Sequence, residues 1–219
     1  KKSINFSVPT GNFGDVYAGY LSKKMGLPID KLIVATNQND ILHRAISSGK
    51  YIANQVEQTI SPSMDIQVAS NFERLIYDVL DQNSNKTKDA MNKFKKEKKY
   101  IIDDESIARI NNDFLSESLN QKETLEVIKT NYEKHGVILD PHTAVGLGAV
   151  NKLGFDKDCV ILSTAHPCKF PEAINQAIQK NENLPEELNY ILDEKENFDI
   201  IENNLETIKN YINQKLNAN

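Results

Sequence analysis

The stretch Phe6-Ser7-Val8-Pro9-Thr10-Gly11-Asn12-Phe13-Gly14-Asp15 decides the fold. Ile4, Phe6 and Val8 alternate with Asn5 and Ser7, the period of a short strand. Pro9 has no N–H to give a ladder, so it closes a central strand. Gly11 and Gly14 permit backbone angles that a Cβ forbids. From Asp15 onward, Val16, Ala18, Gly19, Leu21, Lys24 and Met25 follow a helical pattern. Strand, glycine turn and helix start therefore lie within a dozen residues.

Such a turn suits an anion. The first N–H groups of a helix lack intrahelical partners and carry the positive end of its dipole. A glycine turn beside them lets a phosphate approach the backbone. Thr10 and Asn12 add a hydroxyl and an amide at the same mouth. The spacing alone leaves an ordinary strand-to-helix turn open as well. No Lys-Ser/Thr follows Gly14, so this is not a P-loop. The leading Gly-x-Gly and the acidic residue of a dinucleotide site are missing too.

Working outward, Met25-Gly26-Leu27-Pro28 closes the first helix. Leu32-Ile33-Val34-Ala35 is a continuous apolar run, the signature of a strand covered on both faces. Thr36-Asn37-Gln38-Asn39-Asp40 stands at its carboxyl end, and a helix over 40–48 closes at Gly49. This β-α-β-α order predicts a parallel sheet, whose ligands sit outside the carboxyl ends of strands. Both polar loops occupy such ends. Residues 60–68 read as extended and irregular. Ser70 or Asn71 then caps a helix carrying Phe72, Leu75, Ile76, Val79 and Leu80, with Glu73 completing a capping box on Ser70. Residues 86–99 form a helix whose lysines, from Lys93 to Lys99, read as a solvated face. Tyr100-Ile101-Ile102 is a short extended piece, and 104–110 and 121–135 are helices.

The α/β character returns at Gly136-Val137-Ile138-Leu139, followed by Asp140-Pro141-His142-Thr143. Small residues over 144–153 predict a helix able to pack closely on a neighbour. Cys159-Val160-Ile161-Leu162 reads as another buried strand, with Ser163-Thr164-Ala165-His166-Pro167 at its carboxyl end. A helix over 170–179 and two polar-faced helices over 184–192 and 198–216 finish the chain. The expected class is α/β: a parallel sheet with flanking helices plus a mainly helical section. Its parts are 1–60, with the glycine loop; 61–135, mainly helical; 136–181, completing the sheet; and 182–219, the C-terminal helices.

At 219 residues the chain can bury a real core. Its net charge of −5 argues against nucleic acid as a partner. No apolar run approaches the ~20 residues that span a bilayer, which argues against a membrane partner. Lys1-Lys2-Ser3-Ile4 is not followed by the apolar stretch of a signal peptide. Two cysteines, Cys159 and Cys168, fit a reducing, cytoplasmic setting. Four histidines without ligand spacing predict no metal site. A first residue other than Met, immediately before a strand, is the expectation for a fragment.

Four motifs together resemble the threonine synthases, pyridoxal-phosphate enzymes of the tryptophan-synthase-β fold type (fold type II). They are Val8-Pro9-Thr10-Gly11-Asn12-Phe13-Gly14-Asp15, Ala35-Thr36-Asn37-Gln38-Asn39-Asp40, Asp140-Pro141-His142-Thr143-Ala144 and Thr164-Ala165-His166-Pro167-Cys168-Lys169-Phe170. The resemblance implies that Thr10, Gly11, Asn12, Phe13 and Gly14 seat the cofactor phosphate and that Thr164 faces the pyridine nitrogen. It implies O-phospho-L-homoserine as the small-molecule substrate, with Asn37, Asn39, Arg44 and Lys169 as its contacts. His142 and His166 read as structural turn residues.

The family's Schiff-base lysine lies in a Phe-Lys-Asp motif of the N-terminal half, which does not occur here. Phe94-Lys95-Lys96 has no aspartate and sits in a lysine-rich amphipathic stretch. The resemblance therefore implies the C-terminal portion of a threonine synthase. Such a piece has no catalytic residue of its own, is inactive alone, and has the N-terminal remainder of the same protein as its partner. The alternatives are another fold-type II enzyme, of the dehydratase or cysteine synthase class, and a non-catalytic binder of phosphate ligands.

Overall fold

The structure is a computed structural model and describes residues 3–155, 158–180 and 182–217. Residues up to 182 form one compact unit and residues 183–219 another.

The first unit runs β1 (Ile4–Pro9), α1 (Gly14–Lys24), β2 (Ile29–Thr36), α2 (Ile41–Ser48), β3 (Lys50–Ile52), α3 (Phe72–Val79), α4 (Ser84–Glu97) and β4 (Lys99–Ile101). It continues with α5 (Asp104–Asp113), β5 (Phe114–Ser118), α6 (Gln121–His135), α7 (Pro141–Lys152), β6 (Cys159–Ile161) and α8 (Pro171–Ile178). The main sheet has the order β5-β2-β1-β6 and all its pairings are parallel. β3 and β4 make a separate antiparallel ribbon.

The apolar run of β2 does what its pattern requires. Leu32, Ile33, Val34 and Ala35 are all buried. Leu32 and Val34 face a cluster with Val16, Leu42, Phe72 and Leu75, while Ile33 and Ala35 face Val145 and Ala149 of α7. Alternation along a strand sends neighbours to opposite faces, and helices cover both.

β1 is central, and Pro9 ends it. Pro9 lies opposite Ala35 of β2, and the next N–H, Thr10, donates to the Ala35 carbonyl at 2.8 Å. Pairing with β6 stops at Ser7–Ile161, so the side of β1 that a Pro9 N–H would serve carries no ladder. The small residues of α7 bring it close to the sheet. A Cβ on Gly146 would lie 3.0 Å from Ile161 and 3.3 Å from the Pro9 ring. The Ser7 hydroxyl donates to the Gly146 carbonyl at 2.7 Å.

Several expectations change. The section 61–135 carries β4 where the extended piece at 100–102 is expected, but it also supplies β5, the edge strand beside β2, which the sequence reading does not include. Ser116, Glu117 and Ser118 hid β5, because an edge strand needs no continuous apolar run. Cys159–Ile161 is the opposite edge and only partly covered, with Val160 38% exposed, so it is not the fully buried strand expected. The capping box on Ser70 does not form. Asn71 precedes α3 without a side-chain cap, and its N–H donates to the Asn12 carbonyl at 3.0 Å. A full capping box occurs instead at α6, between Asn120 and Glu123. In the second unit, a 3-10 turn over Glu186–Leu192 and α9 (Leu205–Asn217) replace the two longer helices expected.

Phe114, on the strand the sequence conceals, is fully buried, with its ring 5.7 Å from Phe13 and 5.3 Å from Tyr20. Phe114→Ala is expected to cost about 3–5 kcal/mol, read from the urea unfolding midpoint of the chain.

Candidate anion-binding site

The turn between β1 and α1 is built around a residue the sequence gives no reason to single out. Phe13, not a glycine, takes the left-handed conformation, with φ 70 and ψ 7. Gly11 and Gly14 do not have positive φ. Their glycine identity answers to space instead. A Cβ on Gly11 would stand 2.6 Å from the Ser63 carbonyl oxygen, and one on Gly14 would stand 3.0 Å from Asn12 Oδ1 and 3.1 Å from Asn71 Nδ2. The expectation that both glycines supply special backbone angles is therefore corrected to close approach.

Phe13 keeps its conformation because its side chain is wholly buried. The ring packs edge-on against Phe72 at 5.1 Å and tilted against Phe114 and Tyr17. The Asn12 side chain is exposed and accepts the Gly14 N–H at 2.9 Å, an Asx turn at the mouth of α1. Thr10 is buried, and its hydroxyl donates back to the Val8 carbonyl at 2.6 Å. Among the described residues, the N–H groups of Gly11, Asn12, Phe13 and Asp15 donate to no protein acceptor. Four such donors in five residues at a helix N-terminus are what a backbone anion seat requires.

The asparagines at the carboxyl end of β2 are turned inward. Asn37 Nδ2 donates to Asp65 Oδ1 at 2.7 Å and to Ser61 Oγ at 3.0 Å, and its Oδ1 accepts the Asn39 N–H at 2.8 Å. Asn39 Nδ2 donates to the Glu57 carbonyl at 2.9 Å and to Asp65 Oδ1 at 3.1 Å. Both are buried. Arg44 is held by Asp40 through Nε at 2.7 Å, and its Nη2 donates to Gln67 at 3.3 Å. Thr164 and Lys169 are exposed on the segment after β6. His166 Nδ1 accepts the Cys168 N–H at 3.2 Å, a local turn bond.

Two carboxylates were not legible as key groups. Asp65 lies in the irregular segment and binds Thr59 as well as both asparagines. Asp140 caps α7, with Oδ1 accepting the His142 N–H at 2.9 Å and facing His142 Nδ1 at 3.0 Å, while Oδ2 accepts the Thr143 hydroxyl. Burial pushes the Asp140 carboxyl up, but its bonds from His142 and Thr143 outweigh this and hold it below the usual carboxylate range. His142 is itself buried beside the Phe170 ring, at 5.0 Å. The only sequence signal for this cap was an Asp immediately before Pro at a helix start. No group of His, Cys, Asp and Glu among the described residues has the arrangement of a metal site, and none of their helices is long and apolar enough to cross a membrane.

A parallel sheet with unpaired backbone N–H groups at the carboxyl end of a central strand places the chain among open α/β proteins, whose ligands lie outside the carboxyl ends of strands. The comparisons narrow this. The family model "Threonine synthase, C-terminal" matches residues 143–212. The chain is 40% identical over 216 residues to the threonine synthase of Pseudomonas aeruginosa, covering 97% of this chain and 46% of that protein. It is 42% identical over 243 residues to that of Saccharomyces cerevisiae, covering 98% and 47%. The crystal structure of pyridoxal-phosphate-bound threonine synthase from Brucella melitensis superposes with a TM-score of 0.91 at 39% identity, covering 97% of this chain and 46% of that one. The chain belongs to the threonine synthase family, and it spans about half the length of the curated relatives it matches.

The Asp140 cap has a pH signature. A carboxyl whose folded pKa is depressed stabilises the fold above its unfolded value, near 3.9, and that contribution is lost as pH falls through the folded value. Asp140→Asn is expected to cost about 1–3 kcal/mol at pH 7 and to show a smaller loss of stability than wild type as the pH drops below about 4, measured by urea unfolding.

Proposed function

We propose that this chain is the C-terminal part of a threonine synthase and supplies the seat for the phosphate of pyridoxal 5'-phosphate. The run of free N–H groups at Gly11, Asn12, Phe13 and Asp15 carries this reading. The seat fits the group, since it has donors without acceptors and two positions where the backbone lies so close to neighbouring protein atoms that a Cβ would displace it. The whole enzyme converts O-phospho-L-homoserine and water to L-threonine and phosphate. Bound pyridoxal phosphate would supply an electron sink that lets a proton on the amino-bearing carbon and one on the carbon next to it be removed and phosphate leave.

The residues of this chain bind and orient. The backbone of Gly11, Asn12 and Phe13 would hold the cofactor phosphate, with Gly14 allowing the close turn and Thr10 fixing the strand end beneath it. The Thr164 hydroxyl, exposed after β6, would be the group set against the pyridine nitrogen, and as a neutral group it would not enforce a protonated ring. Arg44, whose Nη1 lies outside its bonds to Asp40 and Gln67, and Lys169 provide positive charge for the substrate's phosphate and carboxylate. Asn37 and Asn39 act at one remove, because their amides are committed to the wall of the site. The N-terminal remainder of the protein brings the lysine that holds the cofactor. The cytoplasm is the proposed compartment, consistent with both cysteines being free.

Two measurements test this reading. Gly11→Val, whose side chain meets the Ser63 carbonyl, is expected to abolish retention of pyridoxal phosphate in the full-length enzyme, followed by visible absorbance with circular dichroism as a folding control. Retention by the folded variant would place the seat elsewhere. The 219-residue chain alone, given pyridoxal phosphate and O-phospho-L-homoserine, is expected to release no phosphate above background in a colorimetric assay. Sustained release would refute the division of labour.

A further inference from the structure

Asp65 is a half-buried carboxylate with no cation beside it among the described residues, yet it accepts four hydrogen bonds. Its Oδ1 takes the Asn37 amide at 2.7 Å, the Asn39 amide at 3.1 Å and the Thr59 hydroxyl at 2.7 Å, and its Oδ2 takes the Thr59 N–H at 2.8 Å. Neutral donors thus replace a counter-ion around the charge. These donors come from two places, the carboxyl end of β2 and the start of the 59–65 loop.

That loop is the back wall of the seat. The 3-10 turn Pro62–Met64 closes with the Asp65 N–H on the Pro62 carbonyl at 3.1 Å. Its Ser63 carbonyl is the atom that a Gly11 Cβ would strike at 2.6 Å, and the buried Met64 packs with Ile33 and Ala35 beneath it. The position of Gly11 against this wall sets where its free N–H points.

We infer that Asp65 is the positioning residue of the phosphate seat, its single carboxylate locking the wall behind Gly11 to the asparagines at the end of β2. The inference rests on the seat proposed above and extends it to a residue that need not touch the ligand. It also gives Asn37 and Asn39 their task, which is to hold the wall. Asp65→Asn tests it sharply. The change is nearly isosteric, but it replaces an acceptor oxygen by an NH2 group facing donors, or leaves one oxygen to serve all four.

The experiment titrates inorganic phosphate, and in parallel pyridoxal 5'-phosphate, into the 15N-labelled 219-residue chain and follows the amide signals of Gly11, Asn12 and Phe13. Wild type is expected to show saturable shifts, and Asp65→Asn about ten-fold weaker binding at a temperature where both are folded, since small misplacement of a binding group costs this much or more. Thr59→Val, which removes one donor and keeps the backbone N–H, is the milder companion should Asp65→Asn fail to fold. It is expected to weaken binding several-fold, and Asp65→Glu to recover part of the affinity. If Asp65→Asn, or Thr59→Val in its place, binds phosphate as wild type does, the positioning role is overturned and the seat stands. If wild type shows no shift at these three amides, the seat itself is refuted, and the role of Asp65 with it.

Discussion

The left-handed turn at Phe13 is the constraint on which the rest of this structure depends. A non-glycine residue there costs on the order of 1 kcal/mol of backbone strain. The strain is held by the ring, which is fully buried between Phe72, Phe114 and Tyr17. Full burial of a Phe side chain is worth about 1.5–3 kcal/mol, so the anchor outweighs the distortion. The same ring touches α1, α3 and β5, so the core that forms the sheet also sets the dihedral that opens the anion seat. Packing and the proposed seat therefore share one residue.

Its consequences spread through the backbone. With Phe13 turned, the Asn12 carbonyl meets the N–H of Asn71, which fixes the start of α3, and the Asn12 side chain closes on Gly14. On the far side, Gly11 lies against Ser63, and the 59–65 loop is tied through Asp65 to the end of β2. Two strand ends and a long irregular connection are thereby set relative to one another by hydrogen bonds from uncharged N–H groups and amides. Hydrogen bonds from neutral donors hold a geometry that depends less on salt than an ion pair would.

The sequence made the skeleton legible wherever one local signal was enough. Apolar runs gave β2, Gly26 and Gly49 marked helix ends, and small residues in α7 announced close packing. What stayed hidden was non-local. β5 gains its strand character from pairing with β2, and Leu32, Val34 and Thr36 find Phe114, Ser116 and Ser118 opposite them only in the folded sheet. The glycine loop was recognised correctly as a turn but for the wrong physical reason. Spacing cannot distinguish a glycine kept for φ from one kept for space, and that difference rests on Ser63, 52 positions away by subtraction of the two residue numbers. Asp65 was invisible for a similar cause, and Asp140 showed only its place before Pro141 at a helix start, since a carboxylate's role is set by the donors that converge on it.

An acidic chain is an unexpected host for an anion, and the geometry resolves the conflict. With a net charge of −5 the protein repels a dianion at long range, and Asp15 stands in the first turn of α1. The seat is made of backbone N–H groups, whose dipoles act over a few ångströms, whereas exposed charges beyond about 10 Å are screened at ordinary ionic strength. In the proposed seat, capture would be decided by contact geometry and not by steering. An exposed carboxylate at Asp15 also favours the positive end of the α1 dipole and so stabilises the helix start. Such a site rejects small geometric errors more strongly than it rejects negative charge. For the cofactor phosphate, close approach at Gly11 and Gly14, the buried anchor at Phe13 and the hydrogen-bonded wall at 59–65 would therefore set the fit, while Arg44 and Lys169 are left to the substrate.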